Sequence, residues 1–350
     1  MNIEKAGTPN SLCKERRHFL KAAACTVAGG ALVTFRTASA SNLTDVRIQY
    51  DWLIGNGQLG DIVAQKKGFF SEQGLNVTFG PGGPNAQTVS PVLSGQSQLG
   101  QLSGTSLVFM AASADRPITV IASGWRYSPY AYISLPKNPI RTPADMVGKT
   151  IAINPNGRLT LDIMLSKNKI DRSKVRTVTM GADLTPLLSG QVDAVSGFMT
   201  NTTQLSVLGP DIIAMLPAKN GVPNYANPYF VATETLSKDK EQLSKFIRAV
   251  SKGWAWAFAN RHAAVDLMCD AYPSLNRQIE HRTVDMIMEL SFDDVTRKQG
   301  WGWHTRENLA AQIRLLDQAG IFKAGKVPVI DDCVTWDILN ATADARPKLG

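Results

Sequence analysis

The chain has 350 residues, 37 basic and 29 acidic side chains and a net charge of +8, long enough for two domains with cores of their own. Residues 1–40 hold six basic residues (Lys5, Lys14, Arg16, Arg17, Lys21, Arg36) against two acidic ones (Glu4, Glu15), so the excess of eight falls to four beyond them. A surplus that small, scattered without a basic run, argues against a nucleic-acid partner.

The first 40 residues read as an export signal. Basic residues come first, then an apolar run from Ala22 to Val33, then Ala38-Ser39-Ala40, an A-x-A cleavage site that starts the mature chain near Ser41. Arg16-Arg17-His18-Phe19-Leu20-Lys21 resembles the twin-arginine signal, which implies export of an already folded protein; general secretion stays open. The apolar run is too short for a membrane anchor and contains Thr26, Gly29 and Gly30.

From Val46 the pattern is a strand (Val46 to Tyr50), a glycine loop, and a helix (Asp61 to Phe70). Gly55, Gly57 and Gly60 match the G-x-G-x-x-G of a dinucleotide site. That fingerprint expects an acidic residue at the end of the second strand, and Asn76 to Phe79 runs out instead into Gly80-Pro81-Gly82-Gly83. The loop offers Asp51, Trp52 and Asn56 in its place, a charge, a flat ring and an amide. Asp51 as a turn cap and Trp52 as core filler is the competing reading.

Alternation continues with a helix Val89 to Leu93, a strand Leu99 to Leu102, a helix Leu107 to Ala114 and a strand Ile118 to Ala122. It resumes with strands Thr150 to Asn154, Arg176 to Met180 and Ala194 to Phe198, and helices Leu161 to Lys169 and Leu184 to Leu188. Such alternation predicts parallel sheets with helices on their faces. The halves echo each other: Pro91-Val92-Leu93-Ser94-Gly95-Gln96 recurs as Pro186-Leu187-Leu188-Ser189-Gly190-Gln191, and Asn56-Gly57-Gln58-Leu59 as Asn156-Gly157-Arg158-Leu159. Two similar α/β lobes facing each other across a cleft are expected, where small ligands are enclosed.

An extended stretch Tyr229 to Thr233 follows, and the rest is helical. Ser237 is placed as the cap of a helix whose apolar face is Leu243, Phe246, Ile247, Val250, Trp254 and Phe258. Thr305 caps another, with Leu309, Ile313 and Leu316 inward and Gly320 as its stop. These helices are expected on the first lobe, so the chain crosses between lobes twice, near Ser134 to Pro139 and near Tyr229 to Glu234. Paired crossovers make a hinge. The expected division is 1–40 signal, 41–135 with 235–350 as lobe 1, and 136–234 as lobe 2.

Cys13 and Cys25 leave with the signal. Cys269 and Cys333 either pair or stay free, and His262, His281 and His304 stand isolated in sequence, so neither set suggests a metal site.

The phrases LGDIVAQKKGFFSEQGLNVTF, VLSGQSQLGQLSGTSLV, PADMVGKTIAI and LLSGQVDAVSG resemble the solute-binding proteins of ABC importers. The branch is the one that contains nitrate, sulfonate and taurine binders and proteins similar to fungal thiamine-pyrimidine synthase. The resemblance implies a bilobal periplasmic-binding-protein type II fold, two doubly wound α/β lobes joined by a two-strand hinge, without cofactor. It further implies a periplasmic monomer that delivers a small molecule to an inner-membrane permease. By position, the loops after the strands place Asp51, Trp52, Asn56, Ser103, Thr105 and Trp125-Arg126-Tyr127 at the ligand in the first lobe. Asn154, Arg158, Thr160, Phe198 and Asn201 stand there in the second, with Tyr229 at the return crossover.

Asp51 beside Trp52 favours a pyrimidine-like heterocycle with an amino group. Thr105, Thr160 and Arg158 would suit a sulfonate or nitrate instead. Fungal synthases that resemble this fold use a cysteine-rich iron site and one of their own histidines, and two separated cysteines do not match that. A ligand-sensing role is the third possibility.

Overall fold

The computed structural model describes residues 43–83, 86–153, 157–181, 183–322 and 326–350; the expected export signal at 1–40 and Asn154 lie outside them. The first half of the chain alternates as expected. Strands β1 (Thr44–Tyr50), β2 (Leu75–Gly80), β3 (Leu99–Gln101) and β4 (Ile118–Trp125) are separated by helices α1 (Leu59–Lys66), α2 (Phe69–Glu72), α3 (Val89–Leu93) and α4 (Thr105–Ser113). The single helix expected over Asp61 to Phe70 is broken in two because Gly68 takes φ 76° between α1 and α2, a conformation that suits glycine.

The second half carries β5 (Tyr130–Ser134), β6 (Thr150–Ile153), α5 (Arg158–Lys167), β7 (Arg176–Thr179), α6 (Thr185–Leu188), β8 (Ala194–Phe198), α7 (Thr202–Leu205) and β9 (Ile213–Met215). Then come β10 (Ala226–Ala232), α8 (Thr233–Lys238), α9 (Lys240–Ala259), α10 (Arg261–Ala271), α11 (Arg277–Ser291), α12 (Asp294–Gln299), α13 (Arg306–Gln318), α14 (Ile330–Cys333) and α15 (Asp337–Ala341).

Two five-stranded sheets result, in the orders β2-β1-β3-β10-β4 and β7-β6-β8-β5-β9. The two orders are the same once the halves are aligned. In each sheet four strands run one way and one insert runs against them, β10 in the first and β5 in the second. The sheets are therefore mixed, where alternation alone predicted parallel ones. The inserts also move the crossovers: the chain leaves the first sheet between Trp125 and Tyr130 and returns between Met215 and Ala226. β5 pairs with the later strands β8 and β9, and β10 with the earlier strands β3 and β4, so the two inserts stand across the expected boundaries at 135 and 234.

The internal repeat is reproduced bond for bond. Ser97 N donates to Pro91 O at 3.0 Å, and Val192 N to Pro186 O at 3.1 Å. Gln98 N donates to Arg47 O while its Oε1 accepts from Arg47 N at 2.8 Å; Asp193 N donates to Thr150 O while its Oδ2 accepts from Thr150 N at 2.8 Å. Gly95 and Gly190 close their helices at φ 76° and 77°. Each half thus ties the entry of its third strand to its first.

The long helix α9 buries Leu243, Phe246, Ile247, Val250 and Trp254 against the first sheet's core. Its predicted cap is displaced: Ser237 lies inside α8, donating to Glu234 O at 2.9 Å, and α9 starts after Asp239. Thr305 does cap α13, accepting from Asn308 N at 3.4 Å. Helices α1 and α9 meet at Gly60 and Gly253, where a Cβ on Gly253 would collide with the Gly60 carbonyl oxygen. We expect Gly253→Ala to lower stability by about 1–3 kcal/mol, read as an earlier urea midpoint with an unchanged slope; an unshifted midpoint would show that the helices can separate freely.

Candidate functional site

At the C-terminal edge of the first sheet, Asp51 leaves β1 with its amide bonded to Gln101 O at 3.1 Å. Its Oδ2 accepts both the amide and the hydroxyl of Ser103, at 2.5 and 2.6 Å. The two loops expected at a ligand are thereby fastened together. Burial raises the Asp51 carboxyl above the ordinary carboxylate range, and the two Ser103 bonds pull it partly back. Behind it the Gly80-Pro81-Gly82-Gly83 run packs backbone to backbone: Gly82 N donates to Trp52 O at 3.0 Å and Gly83 N to Asp51 O at 3.2 Å. A side chain on Gly82 would strike the Asp51 carbonyl carbon, so glycine here serves close approach rather than a phosphate. Trp52 beside it is 42% exposed, a ring on the surface rather than core filler.

The next turn, Asn56–Gln58, runs straight into α1, with Gln58 Oε1 accepting from Gly55 N at 3.1 Å. Gln58 Nε2 reaches Gln101 Oε1 at 2.8 Å, joining this turn to β3. Gly57 lies over the edge of Trp125, and its carbonyl accepts from Asn227 Nδ2 at 3.0 Å. Trp125 is 3% exposed, and its indole N–H is buried without a hydrogen-bond partner among the described residues.

Asn56 points away from this cluster, toward the second half. Its Nδ2 donates to Thr200 O at 3.1 Å and to Glu280 Oε2 at 3.0 Å, and Glu280 Oε1 accepts from Thr202 Oγ1 at 2.7 Å. Glu280, Thr200 and Thr202 were not anticipated. Glu280 carries no sequence signal, since it lies 224 residues from Asn56.

In the second half, Phe198 at the end of β8 packs edge-on against Tyr130 at the start of β5, with centroids 5.4 Å apart, and Tyr130 against Tyr132 at 5.8 Å. Asn201 is half-buried just before α7. Arg158 is exposed and opens α5, where Thr160 is half-buried. A side chain on Gly157 would collide with the Tyr130 hydroxyl, so α5 begins directly against that ring.

Two expected contacts are used elsewhere. Tyr229 is fully buried inside the first sheet, its hydroxyl donating to Asp61 Oδ1 at 2.6 Å, while Tyr50 donates to Asp61 Oδ2 at 2.7 Å. Thr105 is fully buried with its hydroxyl on Gln312 Oε1 at 2.5 Å. Arg126 is a brace for the outgoing crossover: it bonds Asp293 at 2.9 Å and the Trp303 carbonyl, and lies over the Tyr225 ring at 5.0 Å. Tyr127 is half-buried with Lys219 over its ring.

Cys269 and Cys333 are free, buried thiols in the separate helices α10 and α14. His262 and His281 are not isolated as expected. Their Nδ1 atoms are 2.9 Å apart, and His281 Nε2 is 3.0 Å from Asp266 Oδ1, because α10 and α11 pack side by side.

Two sheets of the same strand order, each holding one inserted antiparallel strand, define a bilobal periplasmic-binding-protein fold. The aliphatic sulphonate binding protein SsuA of Escherichia coli superposes with a TM-score of 0.66 at 14% identity, over 83% of this chain and 92% of that one. The chain belongs to the NMT1/THI5-like family, whose sequence profile matches residues 57–264. A formylaminopyrimidine-binding protein of Halalkalibacterium halodurans is 28% identical over 273 residues, 74% of this chain and 82% of that one. A 4-amino-5-hydroxymethyl-2-methylpyrimidine phosphate synthase of Legionella pneumophila is 25% identical over 244 residues, 68% and 77% of the two chains.

Proposed function

We propose that this protein is an exported solute-binding protein of an ABC importer that takes a pyrimidine-like heterocycle with an amino group between its lobes. The lobes are those built on the two sheets, and the crossovers at 126–129 and 216–225 form the hinge. The observation that carries the reading is Asp51. Ser103 occupies its Oδ2, which leaves Oδ1 to accept from a ligand amino group, with the exposed Trp52 ring alongside for stacking. The buried N–H of Trp125 supplies a donor for a ring nitrogen. The formylaminopyrimidine-binding relative supports the same ligand class.

Solute contacts proposed with these are Asn201, Phe198, Arg158 and Thr160 from the second lobe, with Asn56 at its edge. Closure over the solute then presents a surface to a membrane permease, and no bond of the solute is changed. The described cysteines support binding over synthase chemistry: burial pushes the Cys333 thiol up to about 12 and raises that of Cys269 as well, so neither is a ready thiolate ligand. Among the described residues no helix is long and apolar enough to cross a membrane. The leader at 1–40 fits an extracytoplasmic location.

A sulfonate or nitrate is the second reading, favoured by the exposed Arg158 at the start of α5. A thermal-shift series separates the two. An aminopyrimidine at 100 times its Kd adds about 2.7 kcal/mol and raises the melting temperature. A shift with alkanesulfonates and none with aminopyrimidines would transfer the site to Arg158.

A further inference from the structure

We propose that Glu280 is a positioning residue that holds the two lobes shut on the solute through a hydrogen-bonded ring that only the closed arrangement completes. The proposal rests on the reading that the solute binds between the lobes. Glu280 stands in the first turn of α11 and is 2% exposed. Helix α11 packs into the first sheet's core through Val284, Ile287 and Met288. Thr200 and Thr202 follow β8 of the second sheet.

The ring closes in three bonds. Thr202 Oγ1 donates to Glu280 Oε1 at 2.7 Å, Asn56 Nδ2 to Glu280 Oε2 at 3.0 Å, and Asn56 Nδ2 to Thr200 O at 3.1 Å. Two first-lobe side chains thus grip two positions of one second-lobe loop. The Glu280 charge rests on neutral donors and on its place near the N-terminus of α11, where the helix dipole favours an anion.

A buried carboxylate held this way is sensitive to the loss of any donor. Opening of the hinge takes the Thr202 hydroxyl from Glu280 and the Thr200 carbonyl from Asn56 together. Through Glu280 and Thr202, neither of them a proposed solute contact, the ring therefore biases the hinge toward closure.

The test reads the hinge directly by double electron–electron resonance. Spin labels go on Ser90→Cys and Gln191→Cys, exposed positions of the two halves, in the full chain with Cys13→Ser and Cys25→Ser. Cys269 and Cys333, 4% and 1% exposed, stay unlabelled. The parent is compared with Glu280→Gln, which turns an amide against one of the two donors, and Thr202→Val, which removes only the hydroxyl. Without solute, the parent should show a closed population that falls about tenfold relative to the open one in either variant. With 4-amino-5-hydroxymethyl-2-methylpyrimidine, both variants should bind about tenfold more weakly through faster dissociation.

A closed population equal to the parent's in both variants overturns the proposal, as does a parent with none. Weaker binding with unchanged distances also overturns it, by making Glu280 a solute contact. Loss of closure in the variants, in a parent that binds no pyrimidine, leaves Glu280 standing and removes the ligand reading instead.

Discussion

Asp51→Asn should weaken binding of an aminopyrimidine by about 10- to 150-fold, the worth of one hydrogen bond to a charged group, with little change in melting temperature. The asparagine oxygen can take the place of Oδ2 and keep both Ser103 bonds, so the loops after β1 and β3 stay fastened. Its amide nitrogen then stands where Oδ1 was, a donor facing the ligand's donor. Trp52→Ala should cost less, about 2- to 10-fold, because the lost stacking is about 0.5–1.5 kcal/mol. Calorimetric titration of both variants checks this. A Kd within twofold of the parent for Asp51→Asn removes the carboxylate from the site, and tighter binding of a sulfonate by that variant would identify an anion that Asp51 had repelled. Since burial raises the Asp51 carboxyl, aminopyrimidine affinity should also fall as pH drops through that raised pKa.

The second large effect is a pair of opposed pH dependences inside the first lobe. Asp61, fully buried between Tyr50 and Tyr229, is raised by burial to about 7. From its ordinary pKa near 4 up to about 7 the folded state binds a proton that the unfolded chain has lost, so stability falls as pH rises through that window. His304, also fully buried, is lowered by burial to about 3. From about 3 to 6.5 the unfolded chain binds a proton that the folded state does not, so stability rises with pH there. The two slopes are each about 1.4 kcal/mol per pH unit at full strength and oppose each other between about 4 and 6.5.

Removing one exposes the other. In Asp61→Asn the amide can still accept from one tyrosine and donate to the other, and the melting temperature should rise more steeply with pH from 4 to 6.5 than in the parent. In His304→Gln, which can keep the Ser123 and Thr335 partners at 3.3 Å, it should fall over the same range. Three superimposable melting-temperature profiles would show that neither group keeps its shifted titration.

Residue pattern alone determined the α/β alternation, the internal repeat and the apolar face of α9, because each depends on neighbours a few residues apart or on short recurring phrases. It also marked the loop after β1, and with it Asp51, Trp52 and Asn56, while Ser103 was implied by the family resemblance. Tertiary structure decided what those signals could not carry. The inserts β5 and β10 pair far along the chain, Tyr130 with Phe198 across 68 residues and Tyr229 with Gln101 across 128, so a local pattern shows a strand but not its sheet. Tyr229 and Thr105 read as ligand residues by position, yet Asp61 and Gln312, brought in by α1 and α13, claim their hydroxyls. Glu280 is the clearest case. In sequence it is one charge on the polar side of a helix, and only the packing of α11 beside the second lobe's loop makes it a buried acceptor shared by both halves.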